Sequence, residues 1–234
     1  MLELEKQNIH RNRLKSQTTT QVTLDDDFIV PDTMSDIGEV ILDSGVVLLE
    51  PVKVQRERLT VRGKLEFHVL YRREEGGLQT LGGTIPFEEA VNVPDLEEKD
   101  YVSVSWQIDD LNTEMIHSRK LGIKALVTLE AKAEALFDTA AAVRAECAGE
   151  SAGDEIRLQV KTETLPAAAI ALRRKDTYRV KQDITLPGSK PAIERMLWTE
   201  MKLSACQAKP LDGQIHLEGT LLVFALYEGG ESGL

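Results

Sequence analysis

Four histidines, a run of three aspartates and two cysteines are the residues of this chain that could hold a metal or move a proton. His10, His68, His117 and His216 are scattered, and none forms the i, i+4 or hairpin pair that a metal centre needs. Asp25-Asp26-Asp27 looks like an acid cluster but has the composition of a solvated turn. Cys147 and Cys206 give neither a disulfide framework nor a metal spacing, and they read as reduced thiols. The chain has no Gly-rich phosphate loop, nucleophile elbow or HExxH motif. Arg11, Arg13 and Lys15, and the run Arg173-Arg174-Lys175, are basic but lack interleaved aromatics, so nucleic-acid binding is not expected. Tyr101, Trp106 and Trp198 could stack on a sugar ring, although core or edge packing suits large aromatics equally well. No acid–base pair or nucleophile stands out. The sequence therefore points away from an enzyme and assigns no catalytic, cofactor-binding or metal-ligating residue.

The totals narrow the class further. The 234 residues suffice for one large domain or two ordinary ones, and the 42% hydrophobic share can supply a core. A net charge of −11 repels nucleic acid and anionic membrane, which leaves protein or uncharged partners. No apolar run is long enough to span a bilayer. The charged N-terminus MLELEKQNIHRNRLK lacks the apolar centre of a signal peptide, so a cytosolic location at synthesis is expected.

The strongest organising signal is an internal repeat. Pro31 to Tyr71 recurs without a gap at Pro187 to Tyr227, at a spacing of 156 residues (187 less 31). Pro31, Ile37, Gly63 and Tyr71 meet Pro187, Ile193, Gly219 and Tyr227. These eight are the signature residues, and their types are structural. The match extends backwards to Leu2 and Leu158, with Leu4 on Val160, Ile9 on Leu165 and Leu14 on Ile170.

Apolar spacing gives the elements. Leu2 and Leu4, then Val22 and Leu24, alternate as in a half-buried strand. Ile37, Val40 and Ile41, like Ile193, Met196 and Leu197, fall at i, i+3 and i+4, which predicts one short helix near the start of each copy. Leu59 to Val69 and Ile215 to Ala225 alternate strictly and predict the clearest strands, and Asp212-Gly213 predicts a hairpin turn before the second. A mid-strand glycine at Gly63 and Gly219 points to a bulge or a closely packed neighbour. Residues 79–93 predict a strand pair punctuated by Gly82-Gly83 and Pro86. A strand then starts at Tyr101, a turn falls at 109–112, and 116–135 form a long strand. Residues 138–155, rich in Ala, Gly, Ser and acid, predict a linker with a helical turn at 140–147. The expected fold is mainly β: tandem antiparallel sandwich-like domains at 1–137 and 156–234, the second an N-terminal half because only EGGESGL follows Tyr227. The last strand of that half-copy should leave an edge open to pairing, within the chain or in a homo-oligomer.

Several separated motifs then resemble one family. Phe28-Ile29-Val30-Pro31 and Ile184-Thr185-Leu186-Pro187, each followed by a Gly-centred strand ending in Leu-Tyr, resemble the SPOCS domain of SipL-like spore-coat assembly proteins. So do Thr84-Ile85-Pro86-Phe87 and the strand opening His117-Ser118-Arg119-Lys120-Leu121. The resemblance implies a non-enzymatic structural and interaction role in the spore envelope of clostridia-type bacteria. It also implies a place in the mother-cell cytosol at the forespore surface, with a coat morphogenetic ATPase as partner. In that family the contact is attributed to a C-terminal LysM domain; the 234 residues contain no LysM-like segment, so no partner-binding residue is carried over. The alternative is a carbohydrate-binding module of the cell or spore envelope, built on Tyr101, Trp106 and Trp198.

Overall fold

The computed structural model describes residues 2–147, 161, 163–164, 166, 168–170 and 172–230. Within them the chain forms nine strands: β1 (Leu2–Ile29), β2 (Ile37–Leu49), β3 (Lys53–Gln55), β4 (Arg58–Arg73), β5 (Leu78–Asn92), β6 (Tyr101–His117), β7 (Lys120–Cys147), β8 (Ile193–Leu211) and β9 (Gln214–Gly229). All pairings are antiparallel. One sheet has the order β1-β7-β6. In the second, β4 is central, with β2 and β3 along one edge and β5 along the other. β8 and β9 pair as a separate hairpin.

The two larger sheets share one core, and period-two alternation is its cause. On β7, Leu121, Ile123, Ala125, Val127, Leu129, Ala131 and Ala133 are buried in register. They meet Leu59, Val61, Leu65, Phe67 and Val69 of β4 in one cluster with Leu24, Val47, Leu81 and Ile85. The Phe28 and Phe67 rings meet edge-to-face at 5.2 Å between centroids, tying β1 to β4.

No helix occurs among the described residues, which corrects the expectation of one near the start of each copy. Residues 37–41 open β2 and 193–197 open β8. Register shifts lie at Ile37/Glu39 and Val40/Leu42. Each bulge inserts one extra residue, so Ile37, Val40 and Asp43 turn inward three apart before the period of two resumes at Gly45, Val47 and Leu49. Two consecutive bulges therefore mimic helical spacing. The same shifts recur at Ile193/Arg195 and Met196/Trp198, each 156 residues later (193 less 37).

Further expectations are corrected by continuous strands. Residues 78–92 are one strand, not two. Gly82 and Gly83 lie in its interior because a Cβ on Gly83 would stand 2.5 Å from the Phe67 ring and 2.7 Å from Phe28. Residues 109–112 belong to β6, where a bulge at Ile108/Asp110 replaces the expected turn. Residues 138–147 continue β7 and pair with Leu2–His10, so they form neither linker nor helical turn. Asp25-Asp26-Asp27 lies within β1, and Asp27 pairs with Lys120 at 2.6 Å. Residues 148–155, and Leu158, Val160 and Leu165 of the extended repeat, lie outside the described residues.

The offset of 156 (214 less 58) also governs the pairing. β4 begins at Arg58 and ends at Arg73, and β9 begins at Gln214 and ends at Gly229. Val40 pairs Tyr71 as Met196 pairs Tyr227. Backbone bonds recur as well: Met34 N–H to Pro31 O and Lys190 N–H to Pro187 O are both 2.9 Å. Glu39 and Arg72 form a 2.7 Å ion pair, and at the same place Arg195 and Glu228 form another of 2.7 Å with the signs exchanged. In the hairpin turn the positive φ falls on Gly213 and not on Asp212, and Glu57 holds the same left-handed conformation in the first copy.

Candidate functional site

The signature residues fall into clusters set by the strands that carry them. At one end of the first assembly the chain leaves β1 at Val30, turns through Pro31–Asp36 and enters β2 at Ile37. Arg119, in the turn between β6 and β7, reaches into that loop. Its guanidinium donates to the carbonyls of Met34 (2.6 Å), Pro31 (2.9 Å) and Val30 (3.2 Å), and to the carboxylates of Asp36 (3.1 Å) and Asp32 (3.3 Å). The neighbouring Ser118 hydroxyl donates to Asp36 at 3.1 Å, and the Ile37 N–H donates to the Ser118 carbonyl at 2.9 Å. A planar donor fork suits such a set of converging oxygens, which a lysine could not match.

Tyr71 closes the loop from the other side. The one O–H of its buried phenol is shared between the Ser35 carbonyl and the Gln79 side-chain oxygen, both at 3.1 Å. Burial pushes this phenol above its ordinary 10.0; Arg119 and Arg73 pull against that shift and Asp36 adds to it. Ser35 Oγ donates to Glu75 at 3.0 Å, joining the β4–β5 loop to the same clasp. Pro31, Ile37 and Tyr71 are thus brought together around one loop, and the strand opening that begins at His117 supplies Arg119 on Pro31 and Ser118 on Ile37. In the hairpin, Pro187, Ile193 and Tyr227 stand in the equivalent places, and the Tyr227 phenol donates to the Pro191 carbonyl at 3.2 Å.

Gly63 and Gly219 lie away from these clusters, opposite interruptions in the partner strand. A Cβ on Gly63 would come within 2.7 Å of the Leu48 carbonyl, where β2 gives way to β3. Gly219 faces the bulge between Ser204 and Gln207, in which Ala205 takes φ of 50°.

A second polar cluster was not visible in the sequence. A cavity of about 520 Å³ is walled by β1, the β3–β4 turn and the β5–β6 loop, with Arg13, Lys15, Arg56, Glu57, Asp95 and Glu97 in its lining. Glu57 and Asp95 both hold left-handed backbone there. Lys15 bonds Asp100, whose side chain is almost fully buried, at 2.7 Å, and the Glu97 N–H donates to the same carboxylate at 2.8 Å. Burial pushes the Asp100 carboxyl up, but the Lys15 and Glu97 hydrogen bonds outweigh it and hold the group below its ordinary 3.8. A carboxyl lowered on folding contributes stability above its unfolded value and loses it as pH falls through the folded one. The urea midpoint of the chain is therefore expected to drop as pH falls below 3.8. Asp100→Asn should be less stable at neutral pH and lose less over that interval; parallel profiles for the two proteins would refute the assignment.

These arrangements hold loops in place. Among the described residues no group of three or more His, Cys, Asp or Glu is placed to hold a metal. His10 meets Asp138 on the exposed β1–β7 ladder, and Cys206 is an exposed free thiol. The aromatic side chains do not form a platform. Trp198 is buried, Arg173 covers the Tyr101 ring at 3.4 Å, and Trp106 lies on the opposite face of β6 from Tyr101. No helix of the described residues is long and apolar enough to cross a membrane.

A family model described as SipL, SPOCS domain matches residues 36–116. Comparisons with curated proteins and with solved structures find no match.

Proposed function

Because residues 36–116 belong to the SPOCS domain family of SipL, we propose that this chain is a non-enzymatic structural and interaction protein of spore-coat assembly. The family links the chain to a spore-coat-related role in protein interaction. The finer reading is that it works in the mother-cell cytosol at the forespore surface and engages the coat morphogenetic ATPase. The hairpin β8–β9 belongs, on this reading, to a second SPOCS-type unit.

The observation that carries the proposal is the clasp. The family-like segments at Phe28–Pro31 and His117–Leu121 converge through Arg119, whose guanidinium binds the loop at Val30, Pro31 and Met34. Such a site makes a rigid scaffold, the form in which a protein presents surfaces to others. A tagged chain expressed in sporulating cells is expected to co-purify with the coat ATPase, and deletion of its gene should detach coat material from the forespore. Deletion mutants with normally attached coat would overturn the proposal. Titration with glycan fragments should leave tryptophan emission unchanged; a change would favour the glycan reading, whose open aromatic is Trp106.

A further inference from the structure

The stretch between the two copies touches the first assembly at two points. The Ile170 N–H donates to the His10 carbonyl at 3.0 Å, and the Ile170 side chain lines a cavity of about 380 Å³ with Leu136 and Phe137. Three residues on, the Arg173 guanidinium lies 3.4 Å from the centroid of the Tyr101 ring and 2.6 Å from Glu134 Oε2. Tyr101 and Glu134 stand opposite one another on β6 and β7. Ala133, next to Glu134, is fully buried in the core, so Glu134 belongs to the outer face of the sheet.

Arg173 meets a need of both partners. Glu134 Oε2 is closed off from solvent and accepts from no other donor among the described residues. A buried carboxylate oxygen left without a cation is costly. Tyr101 offers the electron-rich ring face on which a planar guanidinium stacks. The repeat does not account for the contact. Arg173 stands at the place of Gln17 (173 less 156), a neutral residue that bonds Glu130 within the β1–β7 pair. The contact is also local: Leu172, Tyr178, Val180 and Ile184, to either side, are largely exposed.

We propose that Ile170 and Arg173 form a latch, which anchors the connecting stretch to the outer face of β1-β7-β6 and gives the second unit a fixed starting point. From Cys147, where β7 ends, the chain runs 46 residues to Ile193 (193 less 147); from Arg173 it runs only 20 (193 less 173). The hairpin is docked at its other end, where Leu197, Trp198 and Leu226 pack on Leu70 and Leu78. A shorter span between two fixed points confines the hairpin to its dock. Latch and dock thus join the two copies into one body.

Limited trypsin digestion of the full chain tests this. Cleavage after Arg173 needs its guanidinium free, so the rate follows the open fraction of the latch. Exposed Arg179 serves as the internal reference and should be cut first in the parent. The initial rate after Arg173 should rise about tenfold in Glu134→Gln and in Tyr101→Leu, with the rate after Arg179 unchanged. Glu130→Gln, on the same face of β7, should alter neither rate. Hydrogen exchange gives a second measurement. The Ile170 amide should be protected in the parent and exchange about tenfold faster in Glu134→Gln, while the Leu129 amide of β7 keeps its protection and reports an intact sheet. Equal rates after Arg173 and Arg179 in the parent, or an Ile170 amide that exchanges freely there, overturn the proposal. So does a Glu134→Gln protein in which neither readout moves. The coat-assembly reading does not depend on the result, since a chain with an open latch can still bind the coat ATPase.

Discussion

Phe67→Ala is expected to lower the unfolding free energy by about 3–5 kcal/mol, among the largest effects available to a single core change. The ring is buried where the two sheets meet, edge-on to Phe28 of β1. Gly83 on β5 lies directly opposite Phe67, and a Cβ there would overlap the ring, so no neighbour supplies atoms to fill the space it leaves. The cavity should therefore persist instead of collapsing. The loss should appear as a lower urea midpoint at unchanged m-value, which marks a change of stability and not of the surface exposed on unfolding. A Gly83→Ala change in the same background should recover part of the loss, because the added methyl group enters the vacated volume. A Phe67→Ala midpoint within experimental error of the parent would mean that the ring does not join the sheets.

Arg119→Ala should destabilise the chain by about 2–3 kcal/mol, given that hydrogen bonds to a charged donor contribute roughly 1.5–3 kcal/mol and the freed carbonyls can turn to water. The more diagnostic result is local. The amides of Val30 and Ile37, which bond the Arg119 and Ser118 carbonyls, should lose protection from hydrogen exchange, while the amides of β4 keep theirs. Arg119→Lys should behave nearly as alanine does, because an ammonium reaches one or two of five oxygens held in a fork. Full rescue by lysine would show that charge alone, and not the geometry of the guanidinium, holds the loop.

Much of this architecture was legible because β4 and β7 alternate without interruption. Leu59 to Val69 and Leu121 to Ala131 each bury every second residue, and a strict period of two admits no other element. Legibility failed where the period was broken for reasons lying on a different strand. Ile37 and Val40 stand three apart because of bulges opposite β4, and nothing local distinguishes that spacing from a turn of helix. Gly82-Gly83 resembled a turn, yet its cause is the space required by Phe67 and Phe28, which are remote in sequence. Asp109 suggested a turn as well. It sits mid-strand, where side-chain donors from three strands, Gln21, Gln107 and Thr128, satisfy its carboxylate. The alanines at 140–142 gave no strand signal, and their strand exists through pairing with the far end of β1.

The clasp was half legible. Pro31, Ile37 and Tyr71 were marked by repetition, and the segment containing Arg119 by its motif, but that Arg119 binds the loop could be learned only from their placement. The Lys15–Asp100 cluster carried no signal, because its members lie 85 residues apart.

The exchanged ion pairs bear on how the chain avoids folding incorrectly. Two hairpins of like length and register in one polypeptide invite strand exchange, the characteristic error of repeated sequences. If β2 paired with β9, Glu39 would face Glu228; if β8 paired with β4, Arg195 would face Arg72. Both mistakes bring like charges together at the mouth of the hairpin, each disfavoured by a few tenths of a kcal/mol to about 1 kcal/mol. The reversal of sign thus acts as an address label, by which each strand finds the partner of its own copy.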